Sequence, residues 1–335
     1  MNLPRTQIGA LEALGYTEEE SRFLYLVATH SGYFLARQFL GFTGASWGKR
    51  TMLFWNKLQA DRHARTYRFA KGGTAYHLFS RKVYRQIGRE NLRNRREHAL
   101  EYIRTRIAML DFVLGNLDLD YLETEPDKVA YFCTESKLPQ HHLPSKTYTG
   151  RHTVTPTVRY FVDRYPMFFP SSSSSSRALT LTYIQDAEAN LTGFVHHLQM
   201  YLPLFRELSE FRFLFLARTD AHFVKASELF RDHVTIPLSS NPADDLLRYF
   251  AIRKAWDFAK YTSLTEGDLI FRNLAKERFA GTRFEHLYRV WKIGRVADAE
   301  IRDDLRGSDK PHTVQFETQT LRAIGSSAGE TEENR

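Results

Sequence analysis

Apolar positions recur at helical spacing from residue 17 to 30, where Phe23, Leu24, Leu26 and Val27 share one side. Thr17, with Glu20 three positions on, predicts a capping box at the start of that helix. Leu35 to Phe42 predicts a short second helix closed by Gly44, and Ser46 stands as the N-cap of a third that runs to about Ala60. This third helix divides into two stripes. Ser46, Lys49, Arg50, Leu53 and Lys57 fall along one, and Trp47, Thr51, Phe54, Trp55 and Leu58 along the other, as a half-buried helix requires. In the next segment aromatic and β-branched residues flank Lys71-Gly72-Gly73, a two-glycine hairpin signal. Arg62, Arg65, Arg68 and Lys71 decorate its first strand and tip.

A long connecting helix is expected over 81–118. Its first half is rich in arginine, and its second carries Leu100, Ile103, Ile107, Leu110, Leu114 and Leu117 at alternating gaps of three and four. That stripe either pairs two copies of the chain as a homodimer or packs on the next domain. An acidic stretch at 118–127 marks the boundary. Beyond it, 129–133, 158–169, 178–184 and 211–217 read as strands, and 190–208 and 221–234 as helices. Six serines, Ser171 to Ser176, read as a flexible loop. Residues 243–302 look helical with breaks near Thr262 and Gly281, and the polar tail is expected to be mostly disordered. The expected division is therefore 1–80, 81–118, 119–240, 241–306 and 307–335, in an α+β chain.

Composition sharpens this picture. With 42% hydrophobic and 14% aromatic residues the chain has enough apolar surface for a core. No apolar run reaches the ~18 residues of a membrane span, and the first residues lack a secretory pattern. The lone Cys133 has no partner for an internal disulfide, which fits a reducing cytoplasm. The net charge of +8 is uneven: Arg37 to Arg106 holds 17 Lys/Arg against 4 Asp/Glu, a local +13, which leaves −5 for the rest. Concentrated positive charge is the footprint of a phosphate-binding surface. Lys49 and Arg50 stand in a helix's first turn, where the dipole disfavours cations, a placement that arriving phosphates would relieve.

Three helices followed by a basic hairpin is the winged-helix pattern, in which the third helix enters the major groove and the wing touches backbone or minor groove. The expected partner is therefore double-stranded DNA, and the expected location the nucleoid. The stretch TAYHLFSRKVYRQIG resembles the end of the wing and the following helix of the replication-relaxation family, found on bacterial plasmids and integrating elements. HHLQMYLPLF, 196–205, resembles a helix of that family's second domain, which is similar to the restriction-endonuclease fold. The resemblance implies a regulator or a replication or transfer accessory protein, with an α/β nuclease-like domain at 119–240; the helical extension at 241–306 follows from the residue pattern and lies beyond it.

The resemblance also implies where a nuclease site would stand. Asp163 is placed for the first acid and Asp186 and Glu188 for the second, as Mg²⁺ ligands. The lysine that such a site uses is missing, since none occurs from Leu179 to Glu210. The leading expectation is therefore a non-cutting protein without catalytic residues, in which Asp163 pairs with Arg159 or Arg164. A Mg²⁺-dependent nuclease and a protein-interaction module are the alternatives. The adjacent pairs His141-His142 and His196-His197 point their side chains apart and lack zinc-site spacing, and no nucleotide or cofactor fingerprint occurs, so neither metal nor cofactor is expected.

Overall fold

The capping box at Thr17 is formed. Its Oγ1 accepts from the Glu20 N–H at 3.3 Å, and the Glu20 carboxylate accepts from the Thr17 N–H at 2.9 Å. The computed structural model describes residues 3–69, 73–149, 156–170, 178–185, 190–239, 242–259, 263–305 and 312–325. The chain is a mixed α+β protein with three sheets among these residues.

The N-terminal region holds α1 (Arg5–Glu12), α2 (Glu18–Leu26) with a wider turn over Val27–Ser31, β1 (Tyr33–Leu35), α3 (Ala36–Thr43) and α4 (Lys49–Ala60). The strands β2 (Ala64–Arg68) and β3 (Thr74–Leu78) follow. Gly44 closes α3 in the left-handed conformation, as its lack of a Cβ permits. The β2–β3 hairpin pairs Arg68 with Thr74, and β3 pairs on its other side with β1, giving the antiparallel order β1–β3–β2. Phe23, Phe34, Phe39, Phe54 and Leu58 form the centre of the core beneath.

The expected single helix over 81–118 is three pieces: α5 (Arg81–Gln86), a tight turn over Arg93–Arg95, and α6 (Leu100–Gly115). Gly88 takes a left-handed φ of 68° and stops α5. Asn94 then turns inward. Its amide donates to the Ala28 and Thr29 carbonyls at 3.0 and 2.8 Å, and its own carbonyl accepts from the His77 ring at 3.1 Å. The heptad stripe on α6 is covered by the chain itself. Ile103 and Ile107 pack with Tyr33 and Ala75, while Leu110 and Leu114 join the main core and Leu117 packs against it. Only Leu100 is left exposed, so the stripe is not a homodimer seam.

The larger sheet contains β4 (Asp120–Tyr121), β7 (Met167–Phe169), β8 (Thr180–Gln185), β9 (Glu210–Ala217) and β10 (Thr313–Thr320). Between β4 and β7 lie α7 (Glu125–Ala130) and the two-stranded β5 (Ser145–Tyr148) and β6 (Thr157–Tyr160). The order is β10–β9–β8–β7–β4, with β8, β9 and β10 parallel and β7 and β4 antiparallel. Helix α8 (Thr192–Phe205) carries the chain from β8 to β9. Alternate residues of β9 serve opposite faces. Leu214 and Leu216 join the core shared with α6 and the N-terminal helices, while Phe211, Phe213 and Phe215 pack on the α8 side with α9 (Phe223–Phe230). One contiguous core therefore runs from α2 through α6 to the sheet.

Several strand expectations change. Residues 129–133 are helix α7 continued by a wider turn over Tyr131–Glu135, because Thr124 and Asp127 cap the helix and Pro126 sits in its first turn. Cys133 therefore lies in that turn, half-buried. The segment 158–169 is two strands of different sheets, broken where Phe161 and Arg164 take positive φ. The polar tail provides β10, whose Val314 and Phe316 reach the α8-side core although its other residues are solvated. The six serines lie outside the described residues.

A short α10 (Ile236–Ser239) leads to α11 (Ala243–Asp257), α12 (Glu266–Arg278), α13 (Thr282–Lys292) and α14 (Asp298–Asp304). These last four share a separate small core around Phe250, Phe279, Phe284 and Tyr288.

Candidate nucleic-acid interface

Helix α4 has one buried face and one open face. Phe54 stacks on Phe39 with ring centres 4.2 Å apart, and Trp55 stacks on Tyr76 of the hairpin at 4.6 Å. These contacts fix α4 against the sheet, so its opposite face is turned outward. Lys49, Arg50, Met52, Leu53 and Asn56 occupy that face and are exposed. Trp47, just before the helix, is 58% exposed.

The residues expected on this surface do not all stand free. Ser46 is exposed but is not the cap: α4 begins at Lys49 after an extended Gly48, and the Ser46 carbonyl accepts from the Thr51 hydroxyl at 3.2 Å. Arg50 donates to Glu19 at 2.7 Å in a solvent-exposed pair, which costs little to exchange for another anion. Lys57 is turned away from the open face. Its ammonium holds the buried Glu20 carboxylate and the Gly15 carbonyl and lies over the Tyr16 ring. Arg62 ends α4 in a left-handed conformation, φ 51°, with the neighbouring amides closing onto Gln59 and Leu58. Arg65 reaches Glu97 at 3.1 Å and lies over Tyr67 and Phe79. Arg68 is exposed at the hairpin end, and Lys71 lies outside the described residues.

The basic segment as a whole is not one face. Of its 17 cations, Arg37, Lys57, Arg89, Arg93, Arg95 and Arg106 are partly or fully buried. Arg89 grips Glu123 and Tyr25, and Arg37 grips Asp111. Sequence spacing shows that a stretch is cationic, but not which cations have internal acids; these partners lie 34 and 74 positions away.

Asp163, the first of the candidate acids, is half-buried in the α/β region. Its Oδ1 accepts from the Tyr201 hydroxyl at 3.0 Å, and its Oδ2 lies 2.9 Å from His197 Nδ1, off the direction of a good hydrogen bond. Burial pushes this carboxyl up, but the His197 ring, the Lys128 ammonium and the Tyr201 hydroxyl outweigh it and hold it below the usual carboxylate range. Asp163 thus pairs with His197 rather than with Arg159 or Arg164. Both histidine and tyrosine come from α8, one turn apart, which is the signal that a helical reading of 190–208 contains. Asp186 and Glu188 lie outside the described residues. His196 and His197 do point apart, exposed and buried respectively. His141 and His142 instead bring their rings within 4.1 Å in a tight turn. No group of three metal-binding side chains occurs among the described residues, and no helix there is long and apolar enough to cross a membrane.

Comparison with protein-family models, with curated proteins and with solved structures finds no match for this chain.

Proposed function

We propose that this chain binds duplex DNA through a winged helix built from α2, α3, α4 and the β2–β3 hairpin, and that it acts without cutting. The observation that carries the reading is the outer face of α4. Lys49, Arg50 and Leu53 stand open on a helix whose opposite side is anchored by Phe54, Trp55 and Leu58. In this reading α4 enters the major groove, with Lys49 and Arg50 at phosphates or guanine edges and Leu53 near a thymine methyl. Arg68 meets the backbone from the hairpin, and Arg50 exchanges Glu19 for phosphate. Arg62 and Arg65, also exposed, meet the backbone beside Arg68, whereas Lys57, held by the buried Glu20, supports the surface rather than contacts DNA. The five-stranded sheet with α8 and α9 serves as a nuclease-like scaffold, in keeping with a regulator or a replication or transfer accessory protein of a mobile element.

The test is a salt-dependent shift assay on duplex DNA with the parent beside a Lys49→Ala/Arg50→Ala double variant. The parent binds, and the variant loses affinity and flattens the slope of log K against log salt by about 2. Equal slopes would remove α4 as the contact.

A second reading is favoured by the exposure of Trp47, Met52 and Leu53 together, an apolar patch that suits a protein partner. It is the reading to adopt if the parent ignores DNA at every salt concentration.

A further inference from the structure

A cavity of about 280 Å³ lies where the N-terminal helices meet the α/β region. It is close to the lower end of ordinary small-molecule sites, about 300 Å³. Its walls hold five cations, Arg89, Arg93, Lys128, Arg159 and Arg164, against two acids, Glu123 and Glu125. Both acids are engaged. Glu123 accepts from Arg89 and Tyr25, and Glu125 accepts from the Tyr160 N–H at 2.9 Å and faces Arg159 at 3.6 Å.

The hydrogen bonds of Lys128 and Arg164 go only to neutral acceptors among the described residues, with Asp163 near Lys128 and Glu125 near Arg164 as the acids in range. Lys128 donates to the Tyr165 carbonyl at 2.7 Å, and Arg164 to the Asn94 side-chain carbonyl at 2.6 Å. Arg93 lies over the Tyr148 ring at 4.5 Å. The Nε groups of Arg93 and Arg159 are buried with no hydrogen-bond partner there. Unmatched buried charge is costly, and neutral acceptors offset it only in part. Burial pulls Lys128 down to about 8, and burial with the neighbouring Arg106 and Arg93 pulls Arg164 down to about 9. An anion in the cavity would relieve the crowding. Tyr121, Leu122, Phe161 and Pro166 supply apolar wall beside the cations, so the occupant has a body as well as a charge.

We infer that this cavity is a binding site for a phosphorylated small molecule, held by the guanidiniums of Arg93, Arg159 and Arg164 and the ammonium of Lys128. Arginine's planar fork matches phosphate oxygens two at a time, and a low-dielectric wall strengthens each contact. The site is separate from the open face of α4 and does not depend on DNA binding there.

The experiment is thermal denaturation and calorimetric titration of the full chain with sodium pyrophosphate and with adenosine monophosphate, against sodium chloride at matched ionic strength. The expected result is a saturable rise in Tm of about 3 °C or more with at least one of them. An Arg93→Ala/Arg159→Ala variant should keep its unliganded far-ultraviolet spectrum and lose about tenfold or more in affinity. Arg159→Gln alone, at a half-exposed side chain, gives the same direction should the double variant misfold. The inference is overturned if neither probe stabilises the parent beyond chloride, or if the variants respond as the parent does. It is also overturned if a 20-base-pair duplex alone stabilises the parent and loses that effect in the variants, because the cavity would then belong to a DNA path.

Discussion

Arg37 and Asp111 face each other through two parallel contacts of 2.7 Å, Nη1 to Oδ1 and Nη2 to Oδ2, and so clamp α3 to α6. The same carboxylate accepts from Gln38 at 2.9 Å and from the Ile324 N–H at 3.2 Å, while Arg37 also donates to the Ile324 carbonyl at 2.7 Å. A buried acid thus joins the N-terminal helices, the central helix and the end of the described chain. Gly41 shows how close that docking is, since a Cβ there would meet Ile324 at 2.6 Å.

Breaking this clamp should be severe. Asp111→Ala leaves a guanidinium and an amide without their acceptor in a site that water barely reaches. The expected loss is about 3–5 kcal/mol of folding stability, read as a lower urea midpoint with an unchanged slope. A loss below about 1 kcal/mol would mean that the pair is replaced by water at little cost.

Lys57 separates the two jobs assigned to the α4 region. Because its ammonium neutralises the buried Glu20, Lys57→Ala should cost about 1–3 kcal/mol in denaturant unfolding. Its affinity for duplex DNA, measured well below the unfolding transition, should stay within about threefold of the parent, a difference of under 1 kcal/mol. A large loss of affinity with unchanged stability would return Lys57 to the groove-facing set.

Acid should unfold this protein through its histidines as well as its carboxylates. Burial lowers His30, His77 and His233 to about 4 each, against an ordinary value of about 6.5. Between those values the unfolded chain binds protons that the folded chain refuses, so stability rises with pH and falls as pH drops. Tm should therefore decline steadily from about pH 6.5 toward pH 4. His77→Gln should flatten part of that decline, and a Tm indifferent to pH across this window would contradict the buried, neutral state of these rings.

Asp163 should matter to folding and not to phosphodiester chemistry. Asp163→Asn keeps the shape but removes the negative charge between Lys128 and His197, and about 1–3 kcal/mol of stability should go with it. Supercoiled plasmid incubated with the parent and Mg²⁺ or Mn²⁺ should remain intact on a gel. Nicking by the parent that disappears in Asp163→Asn would instead make this carboxylate catalytic.

What could be read along the chain is local. The Thr17–Glu20 box, the Gly44 stop, the two faces of α4 and the apolar strand at 211–217 all depend on neighbours within a few positions. Periodicity and capping chemistry report such relations directly. The folded chain decided the rest. Asn94 could be seen to leave a helix only once the Ala28 and Thr29 carbonyls were beside it, and the α6 stripe lost its role as a seam only once Tyr33 and Ala75 lay against it. A solvated polar segment became β10 because β9, 103 positions earlier in register, presented an open edge. Within the basic run, acids far away in sequence drew Arg37, Lys57 and Arg89 from the surface. Charge and apolarity are properties of a residue, whereas burial and pairing belong to a place, and distant segments create that place together.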